Sequence, residues 1–324
     1  VYKRQSLVCP HACIRPVLIP EDQETPETFV TKKAIGKELA GFKARIQLSP
    51  LDCTGCGNCA DICPAKTKAL EMVPAAEITE TEDANWSFAV KQPIPDVKVN
   101  TATVKGSQYL QPLFEFSGAC PGCGETPYVK LVTQLFGDRM IIANATGCSS
   151  IYGGSAPTCP YTTNAKGHGP AWANSLFEDN AEFGYGIFLG QKAIREKLIG
   201  KLDALREVST TASLNDAIDA FMATKDDTKA NTACTEALVA ELEKAAKAGC
   251  EKSAEILSEK DYLAKKAVYI FGGDGWSYDI GYGGLDHVLA SGEDVNIVVF
   301  DTEVYSNTGG QSSKATPTGA VAQF

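Results

Sequence analysis

Two sets of residues in this 324-residue chain have the types and spacing to do chemistry. The first is a run of thiols: Cys53, Cys56, Cys59 and Cys63, the last directly before Pro64. Four thiolates at this spacing, with a trailing Cys-Pro, wrap a four-iron, four-sulfur cage. Gly55 and Gly57 ease the tight turns between them. A zinc knuckle is the alternative reading, but zinc sites lack the Cys-Pro ending. The second set offers oxygen. Asp274 lies between Gly273 and Gly275, and Thr302 follows Asp301. A carboxylate, a hydroxyl and a turned-out carbonyl are hard ligands, and Mg²⁺ takes about six, commonly some from phosphate. The expected guest is a magnesium diphosphate. Taken alone, Gly-Asp-Gly reads equally well as a turn between buried strands.

The elements that must position the oxygen set are two apolar runs, Ala267-Val268-Tyr269-Ile270-Phe271 and Val295 to Phe300. Both suit buried strands. Ile280, Leu285, Val288 and Leu289 between them suit one face of a crossover helix. Strand, helix, strand implies parallel pairing, with both strands ending on one edge. Asp274 then stands at the end of the first strand and Thr302 just past the second. A doubly wound sheet binds ligands at that edge.

The thiols need partners. The fourth cysteine of such a run serves the other cluster, and Cys9-Pro10 has the form of the tail of a second run. Val1 to Val8 contains no cysteine. Cys9, Cys53, Cys56 and Cys59 are therefore expected to complete one [4Fe–4S] cluster, leaving Cys63 for a second that this chain does not close. Cys13 reads as a small apolar filler. Further on, Cys120-Pro121-Gly122-Cys123 precedes Thr126-Pro127, a helix start. Val129, Val132, Leu135 and Phe136 suit that helix's buried face. A strand at Met140 to Ala143 leads to Cys148. Cys120, Cys123 and Cys148 could meet in space, as a cluster, as a zinc site or as catalytic thiols. Cys159 has no partner at metal spacing. Cys234 and Cys250, on isolated helical positions, read as structural, as do His11 and His287, and His168 reads as a loop residue.

Apolar content of 44% and charged content of 22% are ordinary for a globular protein. A net charge of −10 argues against nucleic acid as a partner. No apolar run reaches the length of a membrane span. Twelve cysteines in tight Cys-x-x-Cys groups argue for metal in a reducing cytoplasm rather than disulfides. Residues 20–50 read as a surface insertion, and residues 74–105, acidic and without a clear period, as a linker. The expected organisation is a two-cluster domain over 1–98 and an α/β domain over 99–324, with a helical insertion around 190–265. A start at Val1 rather than Met, and a stop at Phe324 in mid-domain, suggest a piece of a longer chain.

Gly273-Asp274-Gly275 with Asn307 resembles the thiamine diphosphate motif. The general motif ends in Asn-Asn, whereas Ser306 precedes Asn307 here. The wider stretches, Gly273 to His287 and Asp301 to Ser313, together with the thiol runs, resemble the pyruvate:ferredoxin (flavodoxin) oxidoreductases. The resemblance implies a truncated α+β bacterial-ferredoxin-like domain followed by an α/β thiamine diphosphate-binding fold, doubly wound and mainly parallel. It implies that Asp274 and Thr302 bind Mg²⁺ by side chain and Val304 by its carbonyl, and that Asn307 lies near the reacting thiazolium. It implies a third [4Fe–4S] cluster on Cys120, Cys123 and Cys148, with the fourth ligand beyond Phe324. The implied activity is oxidation of pyruvate with coenzyme A, passing electrons to ferredoxin or flavodoxin, in a cytoplasmic homodimer. Related 2-oxoacids (2-oxoglutarate or indolepyruvate) are the alternative substrates, and a non-enzymatic electron-transfer module is the alternative class.

Overall fold

The computed structural model describes residues 2–93, 98–155 and 159–323. The chain forms two compact units, Val1–Asp138 with Cys148–Pro170, and Arg139–Gly147 with Ala171–Phe324.

The first unit begins with helix α1 (Tyr2–Val8) and strands β1 (Ile14–Pro20), β2 (Lys32–Lys33) and β3 (Phe42–Leu48). They form an antiparallel sheet in the order β1-β3-β2. β1 pairs with β3 along its whole length, from Ile14 opposite Leu48 to Pro20 opposite Phe42. This corrects the expectation of a surface insertion over residues 20–50, since its last stretch is the central strand. Short helix α2 (Asn58–Asp61) lies in the thiol run, and α3 (Ala75–Ala89) follows.

The acidic stretch expected to be a linker is thus largely a helix, while its residues 94–97 lie outside the described set. Polar and aromatic groups hold α3 to the sheet. Arg45 grips both oxygens of Glu82 at 2.8 Å, Thr28 donates to Asn85 at 2.9 Å, and Phe88 meets Phe29 edge-on at 5.0 Å. Glu82, Asn85, Trp86 and Ala89 recur at helical spacing, but two of them are polar, so apolar periodicity does not register the face.

The same unit continues with α4 (Val104–Ser107), α5 (Thr126–Phe136) and α6 (Cys148–Ser150). The expected division near residue 98 therefore does not match the compact units. Ser6 donates to Gln108 at 3.0 Å, the His11 ring bonds the Ser117 carbonyl at 3.1 Å, and Phe116 N–H donates to the His11 carbonyl at 2.9 Å. These bonds tie residues beyond 100 to the N-terminal stretch. α5 buries Val129, Lys130 and Thr133, while Phe136 is exposed, so its inner face is turned from the expected one.

The second unit is built on four parallel strands in the order β5-β4-β6-β7: β4 (Met140–Ala145), β5 (Ala171–Ser175), β6 (Ala267–Gly273) and β7 (Val295–Phe300). The two apolar runs are the strands expected of them. β5 was not foreseen: half-buried Ala171-Trp172-Ala173 on an edge gives no long apolar run. Helices α7 (Asn180–Val208), α8 (Ala212–Thr224), α9 (Thr228–Lys247) and α10 (Glu251–Leu257) fill the stretch between β5 and β6. Leu198, Leu202, Ile218, Phe221, Leu238 and Leu242 give them an apolar core of their own. α7 also reaches the sheet, where Ala181 packs with Ile270 and Trp276.

Between β6 and β7 runs α11 (Tyr282–Ser291). Leu285 and Val288 are buried as expected, but Ile280 and Leu289 are 59% and 63% exposed. The chain from Gly275 to Asp279 winds as a π-turn, Ile280 N–H donating to the Gly275 carbonyl at 2.9 Å. The extra residue in that turn rotates Ile280 off the buried face. A small hairpin, β8 (Val304–Tyr305) with β9 (Gln311–Ser312), follows β7. Among the described residues no helix is long and apolar enough to cross a membrane.

Candidate functional site

In the second unit the register of β6 and β7 ends with Gly273 opposite Phe300. Asp274 and Thr302 therefore leave the sheet at the same edge. Asp274 is buried, only 2% exposed. Its Oδ1 accepts from Thr302 N–H at 2.9 Å and lies 3.3 Å from Thr302 Oγ1, while its Oδ2 accepts from Ser313 Oγ at 2.8 Å. Thr302 Oγ1 is in turn 3.0 Å from the Val304 carbonyl oxygen. Glu303 between them has a φ of 62°, left-handed and unusual outside glycine. That twist brings the Val304 carbonyl back beside the Thr302 hydroxyl.

Three oxygens of three chemical kinds thus stand in sequence at 3.3 and 3.0 Å. An octahedral magnesium ion with oxygens at about 2.1 Å sets adjacent ligands about 3 Å apart. The donor set and its spacing fit Mg²⁺. Among the described residues no lysine or arginine pairs with Asp274, so a buried carboxylate faces this edge without a cation of the chain's own.

The flanking glycines differ in role. A Cβ on Gly275 would lie 2.3 Å from the Tyr305 ring, so close packing requires glycine there. A Cβ on Gly273 would meet only the Phe300 carbonyl, at 3.7 Å, and packing leaves glycine unexplained at that position. Two phenols border the site. Tyr278 donates to Asp301 at 2.8 Å, and that bond, aided by burial, pushes its pKa up to about 12. Burial, followed by its bond to Asp279, does the same to Tyr305. Both hold their protons at neutral pH. Asn307 is exposed on the turn between β8 and β9 and has no hydrogen-bond partner among the described residues.

In the first unit the expected cluster thiols lie in one region. Cys59 lies within electrostatic reach of Cys9, Cys53 and Cys56. Cys63 is turned elsewhere, its sulfur accepting from Ala69 N–H at 3.3 Å. That backbone bond, with another from Ala65, lowers its pKa. Gly55 and Gly57 have φ of 69° and 82°, the left-handed turns the run needs. Cys13, foreseen as filler, is buried, but its sulfur lies 3.3 Å from that of Cys9. Interaction with Cys53 and Cys9, together with burial, pushes the Cys13 pKa up. The same interactions with Cys13 lower the pKa of Cys9 and of Cys53. Two of the four expected ligands are thereby biased toward thiolate, the form that binds iron. Among the described residues no three Cys, His, Asp or Glu side chains close around one ion. A four-iron cage spreads its thiolates wider than a single ion does, and the grouping of Cys9, Cys53, Cys56 and Cys59 fits such a cage.

Cys120 and Cys123 share one turn, closed by Cys123 N–H to the Cys120 carbonyl at 3.0 Å. A Cβ on Gly122 in that turn would lie 3.8 Å from Cys56 Cβ and 3.7 Å from Asn58 Oδ1, so the turn lies near the thiol run. Cys148 opens α6. Tyr152, just after it, donates to Glu125 at 3.0 Å, which draws the Cys148 segment toward the Cys120–Cys123 turn. Sequence reasoning missed Lys130. It is buried and donates to the Ser6 carbonyl, and burial lowers its pKa to about 8 while Cys9 and Cys13 push it back up.

A family model described as a 4Fe-4S binding domain matches residues 46–67. Over 98% of its length the chain is 63% identical to a pyruvate:ferredoxin oxidoreductase of Moorella thermoacetica and 57% identical to a pyruvate-flavodoxin oxidoreductase of Enterobacter agglomerans, covering 28% of each. It is 49% identical to a mitochondrial pyruvate dehydrogenase [NADP(+)] of Euglena gracilis, of which it covers 18%. The chain thus spans less than a third of the relatives it matches, and the resemblance to the pyruvate:ferredoxin (flavodoxin) oxidoreductases extends over nearly all of it.

Proposed function

We propose that this chain carries the magnesium-diphosphate end and part of the iron–sulfur relay of a thiamine-dependent pyruvate oxidoreductase. The activity is oxidative decarboxylation of pyruvate to acetyl-CoA and CO₂, with electrons leaving to ferredoxin or flavodoxin. One observation carries the reading: Asp274 Oδ1, Thr302 Oγ1 and the Val304 carbonyl stand in sequence at 3.3 and 3.0 Å, about a magnesium octahedron's edge.

In this reading those three oxygens hold Mg²⁺, and the open side at Gly273 admits the diphosphate. Thiamine diphosphate, when bound, supplies the carbon to which a 2-oxoacid adds and from which CO₂ departs. The chain's own residues hold and orient. Buried Asp274 fixes the metal, Glu303's left-handed backbone aims the Val304 carbonyl, and Asn307 on the exposed turn is free to meet substrate. Cys9, Cys53, Cys56 and Cys59 hold one [4Fe–4S] cluster. Cys63 contributes to a second, and Cys120, Cys123 and Cys148 contribute to a third. The nearness of Gly122 to Cys56 and Asn58 supports electron passage between the last site and the first. A cytoplasmic homodimer that also takes coenzyme A completes this reading.

Anaerobic purification of the holoprotein, mass analysis of its bound cofactor and pyruvate-dependent reduction of flavodoxin or ferredoxin test this. Bound thiamine diphosphate with coenzyme A-dependent reduction is expected. Iron–sulfur protein free of thiamine and inert to every 2-oxoacid would leave only an electron-transfer module.

A further inference from the structure

We infer that Cys13 is a fifth thiol of the first cluster site, placed to take over the iron that Cys9 holds. This rests on the reading of Cys9, Cys53, Cys56 and Cys59 as a cluster-binding set. Cys13 Sγ lies 3.3 Å from Cys9 Sγ, and both residues are buried. Cys53, another of the expected ligands, lies within its electrostatic reach. One thiol thus touches one of the four expected ligands and stands near a second.

The backbone aims it there. Ala12, with a φ of 56°, takes a left-handed turn that side chains seldom adopt, and its N–H reaches back to the Cys9 carbonyl at 3.4 Å. The chain therefore doubles back, and Cys13 comes to rest over Cys9. Ser49 N–H then pins the Cys13 carbonyl at 2.7 Å, at the end of β3. Packing alone does not ask for sulfur here. The neighbours Ile14, Ile46, Leu48 and Phe116 are apolar, and a small aliphatic side chain would satisfy them.

The exchange needs no oxidant. Cys13 gives up its proton as its sulfur takes the iron, and the Cys9 sulfur takes a proton on release. The iron–thiolate count is unchanged. A corner of the cage whose ligand is lost or modified thus has a replacement in van der Waals contact, and the iron at that corner is recaptured rather than released.

The test uses the anaerobically purified holoprotein, with iron and sulfide analysis and EPR of Cys9→Ala, Cys13→Ala, the double variant and Cys59→Ala. Cys9→Ala is expected to keep this cluster with an altered signal. The double variant and Cys59→Ala are expected to lose it, a fall of up to about four irons per chain. Loss of the cluster from Cys9→Ala as complete as from the double variant would overturn the inference. Retention by the double variant would instead remove Cys9 from the ligand set, and the underlying reading with it. If Cys9→Ala does not fold, Cys13→Ala alone decides. Without the reserve thiol, iron should pass to a chelator faster, and an unchanged rate would refute the role.

Discussion

Replacing Asp274 by Asn separates a metal ligand from a buried structural acid, because the two roles predict effects of opposite kind. Asp274 is 2% exposed, and Thr302 N–H at 2.9 Å and Ser313 Oγ at 2.8 Å are its closest donors. Asparagine can keep both bonds. Its carbonyl accepts from Thr302, and the Ser313 hydroxyl reverses to accept from the new amide. What goes is a negative charge in a dry place, which is costly to bury without a cation. The unloaded protein should therefore change by no more than about 1 kcal/mol, toward greater stability if at all. Metal binding should suffer far more. Outer groups that merely orient a ligand are worth about 10–100-fold in affinity, and in the proposed function Asp274 is the anionic ligand itself. A loss of at least about 100-fold, near 2.7 kcal/mol, follows. Calorimetric titration of cofactor-depleted protein with magnesium and thiamine diphosphate reads the first quantity, and denaturant unfolding of the same sample reads the second. Affinity within about tenfold of the parent, together with a stability loss above about 2 kcal/mol, would make Asp274 a structural residue and defeat the reasoning.

Gly275→Ala puts a methyl 2.3 Å from the Tyr305 ring and should cost about 1–3 kcal/mol as the ring and its bond to Asp279 give way, seen as a lower unfolding midpoint. Cys56→Ser should remove about four irons per chain while bound thiamine stays, so unchanged iron would exclude Cys56 as a ligand. Lys130→Met should alter the pH dependence of stability in the cluster-free protein. The unfolded chain holds this proton up to the ordinary 10.5 but the folded chain only to about 8. Folding therefore expels it between those values, and stability rises with pH from about 8 to 10.5. The variant should lack that rise and be more stable below pH 8 by about 3 kcal/mol; parallel pH profiles for the two proteins would contradict it.

The oxygen site was legible because its parts sit in strong patterns. Two apolar runs broken by glycine announce β6 and β7, and parallel pairing puts Asp274 and Thr302 on one edge. The Val304 carbonyl carried no signal of its own in residue type, because a backbone ligand depends on the twist at Glu303, a residue with no glycine to mark it. The thiol grouping was legible from spacing, but Cys13 was not. Its role depends on Ala12 turning left-handed, which alanine does not advertise. Helix α3 escaped because Glu82 and Asn85 do work that apolar residues usually do, and β3 because Pro- and Glu-rich loops precede it. The division into units failed for a different reason. Bonds such as Ser6 to Gln108 join residues far apart in sequence, and composition does not record them.

Strand β4 lies between β5 and β6 in the sheet, yet its two neighbours are made at very different times. β5 begins at Ala171, soon after β4 ends at Ala145, whereas β6 begins only at Ala267. At about 5–20 residues per second on a ribosome, one edge of β4 waits roughly 6–24 s for its partner. An open parallel edge is a template for wrong pairing during that wait. The helices α7 to α10 emerge in the interval, carry their own apolar core, and α7 is packed against β4 in the folded chain. Order of synthesis thus gives the helical segment a task apart from catalysis: it occupies the nascent sheet until its central strands can close.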